Sequence, residues 1–263
     1  MRVAVTGANG EIGRTLAPYL AARHEVRLAV WDLPSDRDRG ELILTGDGSS
    51  RAEIRRVDIT DAAAVDAFVQ GSDAVVHLAA EREVGASWDQ LRGPNIDGTA
   101  NVFGACARHG VRKIVFASSS HVAGGYLEPA LATAPGALAA DRKPLDGLGP
   151  LDGTEPLRPD SLYGVTKAFG EALGRFTADC FGISVVCLRI GWFLAAPHNE
   201  ASKRMWLSPG DLCRLVSAAL DADVKFGIYY GASANTGGLW DLRPAMAELG
   251  YQPEDNSAAF AGP

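Results

Sequence analysis

Tyr163 and Lys167 stand four residues apart in the run Tyr163-Gly164-Val165-Thr166-Lys167, a spacing that puts a phenol and an ammonium on one face of a helix. Oxidising a carbinol, or reducing its carbonyl, needs such a pair. As hydride leaves carbon the hydroxyl proton must leave too, and a free phenol of pKa about 10 is too weak a base at neutral pH. The lysine charge favours the phenolate, and the same ammonium can hold a nicotinamide ribose. Upstream, the triplet Ser118-Ser119-Ser120 follows the apolar run Ile114-Val115-Phe116-Ala117, where a strand delivers a hydroxyl to the edge of a sheet. A hydrogen bond from Ser119 to the reacting oxygen would fix it relative to a cofactor. Ser119, Tyr163 and Lys167 are thus the expected catalytic group.

A cofactor cradle is legible at the start of the chain, in Thr6-Gly7-Ala8-Asn9-Gly10-Glu11-Ile12-Gly13. Gly7 permits a tight turn, Gly10 lets the backbone approach a pyrophosphate, and Gly13 allows a helix to pack closely on the strand before it. The free amides of that helix start, around Asn9, Glu11 and Ile12, would take the phosphates. Asp32 lies nineteen residues past Gly13, at the end of the apolar run Glu25 to Trp31, where a carboxylate can accept from the adenosine ribose hydroxyls. A 2′-phosphate would meet its negative charge, so NAD is expected rather than NADP. Arg37 and Arg39 are the groups that could serve a phosphate instead. Cradle, acid, serine and Tyr/Lys pair together imply a nicotinamide-dependent oxidoreductase.

The elements that must position these residues alternate along the chain. Apolar runs at Arg2 to Val5, Glu25 to Trp31, Ile54 to Val57, Ala74 to Leu78, Arg112 to Ala117 and Ser184 to Ile190 read as buried parallel strands. Between them, Ile12 to Leu20, Asp61 to Val69, Gly98 to His109 and Leu162 to Phe181 have helical spacing, with Thr60 or Asp61 as a cap and Gly110 as a stop. The expected fold is α/β, a doubly wound parallel sheet (Rossmann fold) over residues 1–190, followed by a small C-terminal substrate-binding lobe over 191–263. Two segments break the rhythm: a surface excursion over Gly40 to Arg51, and a Pro-, Gly- and Ala-rich loop over Leu127 to Pro159 that would overhang the active site.

With 263 residues and 47% hydrophobic content the chain can bury a large core, and its net charge of −7 argues against nucleic acid as a partner. Its first residues enter a strand directly and no apolar run is long enough to span a bilayer, so a cytoplasmic protein with no membrane partner is expected. Cys106, Cys180, Cys187 and Cys213 lack metal-ligand spacing and are expected to be reduced core residues, with no metal site. His77 and His24 read as core and surface residues.

On these motifs the chain resembles the extended short-chain dehydrogenase/reductase (NAD-dependent epimerase/dehydratase) superfamily over nearly its whole length. The resemblance places the catalytic serine at the middle of the triplet, Ser119 rather than Ser118. It implies that Asp58 and Ile59 contact the adenine, that Leu78, Ala79 and Ala80 border the phosphates, that Asn95 lies on the helix steadying the site, and that Ile190 and Gly191 line the nicotinamide. A homodimer through the helices Gly98 to His109 and Leu162 to Phe181 is also implied. Only 73 residues follow Ile190, a small lobe for the nucleotide of a sugar-nucleotide epimerase or dehydratase. A non-catalytic dinucleotide sensor would usually lack the Tyr/Lys pair.

A narrower resemblance is to the bacterial uronate dehydrogenases, which oxidise C1 of a hexuronate to a lactone with NAD. The stretches that carry the likeness are Phe116 to Ser119 with His121, Arg158-Pro159-Asp160, Arg189-Ile190-Gly191, Arg204-Met205, Gly231 to Asn235, and the tail from Leu249 to Phe260. The likeness implies that Arg204 binds the substrate carboxylate, a role a bidentate guanidinium suits, and that Ser120 and His121 border the sugar hydroxyls. Three positions depart from the pattern. Glu81-Arg82-Glu83 with one extra residue, Ser120 and Trp192 stand where those enzymes carry a serine, an asparagine and a serine. Trp192 brings bulk and a stacking face, and Arg82 a second anion contact. A sugar acid is the expected substrate, with a different sugar or secondary metabolite as the alternative.

Overall fold

The computed structural model describes residues 1–32, 52–127 and 151–260. Seven strands form one parallel sheet in the order β3-β2-β1-β4-β5-β6-β9, with β1 Arg2–Thr6, β2 Glu25–Val30, β3 Ala52–Arg56, β4 Ala74–His77, β5 Lys113–Ser119, β6 Ser184–Ile190 and β9 Phe226–Gly231. Strand order reverses between β1 and β4, so the chain leaves these two neighbours in opposite directions and opens a crevice at their C-terminal ends. Cradle and catalytic group both face it.

Both faces of the sheet are covered, which is why the strands read as continuous apolar runs. On one side α1 (Glu11–Ala21) packs with α7 (Pro209–Asp221); on the other lie α2 (Ala62–Val69), α4 (Thr99–Arg108) and α5 (Leu162–Phe181). Asp61 caps α2 by accepting from the amides of Ala63 and Ala64. The α4 helix ends one residue before His109, and Gly110 takes the left-handed conformation that stops it. It continues a longer helix, from α3 (Trp88–Leu91) through a π-helical stretch Arg92–Gly98. Pro94 lies in that stretch; its missing N–H suits a wider turn better than a regular one.

The sheet does not end at Ile190. Residues 209–231 supply α7 and β9, which extend the sheet rather than the lobe. The lobe is a third apolar cluster of Ala123, Leu151, Met205, Tyr230, Ala232 and Trp240, drawn from both sides of Ile190. A two-residue ribbon borders it, β7 (Trp192–Phe193) against β8 (Trp206–Leu207), joined by α6 (Glu200–Met205).

The excursion expected over 40–51 and the arginines Arg37 and Arg39 lie outside the described residues, as does most of the loop expected to overhang the site. The part of that loop after residue 150 is tied into the body: Leu151 bridges to Trp240, and Glu155 meets Arg189. Among the cysteines, Cys106, Cys187 and Cys213 are buried and free; Cys180, expected in the core, is exposed on the outer face of α5. His77 is buried between Thr6 and Thr99, which bond its two ring nitrogens, and burial pushes it down to about 3, so it is a neutral core residue. No described helix is long and apolar enough to cross a membrane.

Candidate active site

Close packing of α5 on β5 brings the catalytic residues together. A side chain at Gly170 would place its Cβ 2.2 Å from the Phe116 ring, so only glycine lets the helix lie this near the strand. The helix starts where Ser161 accepts from the Gly164 amide at 3.1 Å. Lys167 is consequently buried, and its Nζ donates to the Ala117 carbonyl at 2.8 Å. That ammonium lies 5.7 Å from the centre of the Tyr163 ring. Ser119 ends β5 beside the Tyr163 phenol, and its Oγ accepts from the His121 amide at 3.3 Å.

Electrostatics of the site are set by burial. Desolvation holds the Tyr163 phenol up at about 12, against the Ser119 hydrogen bond and the Arg82 charge that pull it down. The same burial brings Lys167 down to about 8. At neutral pH the free site therefore holds a neutral phenol beside a strained ammonium.

Alternation along β5 separates the serines. Ser118 turns away and donates to Glu171 at 2.6 Å, in a buried network where Glu171 also accepts from Arg189 at 2.8 and 2.9 Å. Arg189 reaches Glu155, which accepts from the Tyr230 hydroxyl at 2.6 Å. This fixes β5, β6, β9 and α5 to one another behind Ser119. Neither Glu171 nor Glu155 was expected at the site; each is recognisable only through partners far along the chain.

A single cavity of about 890 Å³ runs from the cradle to these residues. It is lined at one end by Trp31, Asp58 and Ile59, then by Gly7, Asn9, Gly10, Glu11, Ile12 and Gly13, then by Leu78, Ala79 and Ala80. At its inner end stand Ser119, Ser120, His121, Tyr163, Lys167, Ile190 and Trp192. A dinucleotide fits the outer part. A Cβ on Gly7 would lie 2.7 Å from the Ala79 amide nitrogen and one on Gly13 only 2.4 Å from the Gly7 carbonyl, so both glycines keep the backbone open for close approach. No side chain caps the first turn of α1, leaving its amides for a pyrophosphate.

Three expected contacts lie off the cavity wall. Asp32 is exposed directly after β2, next to Trp31, which lines the adenine end. Asn95 acts one step back: its amide exchanges hydrogen bonds with the Glu81 backbone and donates to Thr166 at 3.0 Å, tying the segment after β4 to α5. Arg204 is the third. It is exposed on α6 and donates to the Gly237 carbonyl at 3.1 Å, outside the cavity lining. Arg82 does line the cavity, with its guanidinium 2.6 Å from the Glu11 carboxylate. His198 is a wall residue with no local signal in the sequence; it stacks on Trp192 with ring centres 5.9 Å apart.

The position of Asp32 supports a direct test. NAD is expected to exceed NADP in kcat/KM by at least about 10-fold, because a 2′-phosphate would face the carboxylate, and Asp32→Ala should narrow the gap. Equal or better efficiency of the wild type with NADP would contradict this.

Comparison with known proteins agrees with the geometry. The family model described as NAD dependent epimerase/dehydratase family matches residues 3–206. An NAD-dependent glucose-6-phosphate dehydrogenase of Haloferax volcanii is 38% identical over 98% of this chain and 95% of its own. An L-arabinose 1-dehydrogenase (NAD(P)(+)) of the same organism is 39% identical over 98% of each chain. Among solved structures, a mutant uronate dehydrogenase from Agrobacterium tumefaciens complexed with NAD superposes with a TM-score of 0.78 at 32% identity, covering 98% of this chain and 86% of that one. The family model covers most of the chain and the relatives span nearly all of it: the chain belongs to the NAD-dependent epimerase/dehydratase family and uses NAD.

Proposed function

We propose that this NAD-dependent dehydrogenase oxidises the C1 hydroxyl of a hexuronic acid, or of a closely related aldose, to the lactone. The observation that carries the reading is the convergence of Ser119, Tyr163 and Lys167 at the inner end of the cofactor cavity, beside the polar wall of Ser120 and His121. When bound, NAD supplies the hydride acceptor. Gly7 to Gly13 would hold its pyrophosphate, Asp58 and Ile59 would border its adenine, and Lys167 would hold its nicotinamide ribose. Ser119 fixes the carbinol oxygen by hydrogen bonding. Tyr163 Oη takes the hydroxyl proton as the C–H bond breaks, and the Lys167 charge lowers the cost of the phenolate. Trp192 and His198 give the sugar a flat wall.

A second reading, a phosphorylated or neutral aldose, is favoured by the placement of Arg204 away from the cavity. Hexuronate, glucose 6-phosphate and arabinose offered with NAD, followed by NADH absorbance, separate the two. Oxidation of none of these sugars would overturn the proposal. Besides Lys167, Arg82 is a cation on the cavity wall, so Arg82→Ala should lower kcat/KM for an anionic sugar by about 5-fold to 30-fold, with little change for a neutral one. Arg204→Ala should change both by less than about 3-fold, since Arg204 stands outside the cavity lining. A selective loss of acid substrates in Arg204→Ala would reinstate Arg204 as the carboxylate ligand.

The enzyme is proposed to act as a homodimer through α4 and α5. Leu162, Val165, Phe176 and Phe181 leave large apolar side chains exposed along α5, which argues for a covered face.

A further inference from the structure

Next to Tyr163 lies a pair of residues that hydride transfer itself does not require. His121 packs edge-on against the Tyr163 ring, with centres 5.8 Å apart, and lines the cavity. Its Nδ1 lies 2.8 and 2.9 Å from the two oxygens of Asp160, a buried carboxylate that also accepts from the Ser161 hydroxyl at 2.9 Å. A carboxylate there can only accept, so Nδ1 carries a proton, and the imidazole tautomer this selects has Nε2 as its acceptor. Among the described residues no protein group pairs with Nε2. The chain is shaped to admit the carboxylate: a Cβ on Gly124 would lie 2.0 Å from Asp160 Oδ2.

We propose that Asp160 is a positioning residue that locks His121 with Nε2 turned to the substrate, where it accepts from the hydroxyl on the carbon next to the reacting carbinol. Vicinal hydroxyl oxygens sit roughly 3 Å apart, a hydrogen-bond length, so a group beside Tyr163 is placed to read the second when Tyr163 holds the first. The site thereby selects aldoses bearing a 2-hydroxyl over their 2-deoxy counterparts. This rests on the proposed oxidation at C1.

The test compares glucose 6-phosphate and arabinose with 2-deoxyglucose 6-phosphate and 2-deoxyribose, using wild type, Asp160→Ala, Asp160→Asn and Gly124→Ala, with NADH affinity and Tm measured alongside. Wild type is expected to favour the 2-hydroxy sugar by at least about 30-fold in kcat/KM, because a site built to bond a hydroxyl rejects the analogue lacking it. Asp160→Ala and Gly124→Ala should shrink that preference to below about 5-fold by losing efficiency on the 2-hydroxy sugar alone, with NADH affinity unchanged. Asp160→Asn, whose amide oxygen still accepts from Nδ1–H, should retain a preference of about 10-fold and decides the matter if the alanine variants fold poorly. Equal losses on both kinds of sugar, or no loss in Asp160→Asn and Asp160→Ala, would overturn the positioning role while leaving C1 oxidation intact. Wild type that oxidises no aldose would overturn the proposed function, and this inference with it.

Discussion

Tyr163→Phe is expected to cut kcat by about 10²-fold to 10⁴-fold, the range for losing a general acid/base, while KM and NADH affinity stay close to wild type. The reasoning is geometric. The phenol stands beside Ser119 at the inner end of the cavity, whereas the cradle that binds the dinucleotide is built from backbone and glycines around Gly7 and Gly13. Removing one hydroxyl leaves that cradle and the packing of α5 on β5 untouched. Single-turnover NADH formation with saturating sugar would measure the loss. Wild-type turnover in the variant would mean that another group takes the carbinol proton.

Lys167→Met should abolish most activity and yet lift a cost from the fold. A buried ammonium brought down to about 8 from its ordinary 10.5 is disfavoured in the folded state. The sign follows from linkage: the penalty is fully present below about pH 8, shrinks as pH rises from there to the ordinary lysine value, and is absent above it. Wild type should therefore gain stability relative to Lys167→Met as pH rises from about 7 to 10, by about 2 to 3 kcal/mol. Tyr163 is held at about 12 in the fold, above this pH range, and its unfolded titration is common to both proteins, so it drops out of the difference. Urea melts of the two proteins at the two pH values measure it; a difference independent of pH would show that Lys167 is not held against its ordinary protonation equilibrium. The lost Ala117 hydrogen bond subtracts a constant from the variant and leaves the slope intact.

What could be read from the sequence was whatever a few neighbouring residues decide. Gly7 and Gly13 are demanded by one turn and one helix start, and Tyr163 and Lys167 by the period of one helix. The period of a strand separates Ser119 from Ser118, but which face holds the site depends on Glu171, 53 residues away. Likewise the alternation read from sequence stops at Ile190, although Ser208, Pro209 and Asp211 form a helix start from which α7 could be read. Strand β9 gives less away. Phe-Gly-Ile-Tyr-Tyr-Gly is no aliphatic run, and its two tyrosines are accommodated in the sheet because Glu248 and Glu155 accept from their hydroxyls.

Side-chain placements set by distant partners are less legible than those with a local cause. Arg204 is captured by the carbonyl of Gly237, 33 residues on, and no pattern around Arg204 signals it. Asn95 stands behind the cavity wall, because the π-helical stretch turns its amide towards Glu81 and Thr166. Asp160 stood in a matching motif without a role; its meaning emerged only with His121 and Gly124 around it.

The central claim is hydride transfer from C1 of a sugar to NAD, and substrate deuterated at C1 tests it most directly. With a sugar the wild type oxidises, one deuterium should appear in each NADH formed, none should wash into solvent, and the oxidised product should be the lactone. NADH free of deuterium, or sugar recovered as a stereoisomer with no net NADH, would contradict the account and point to chemistry at another carbon.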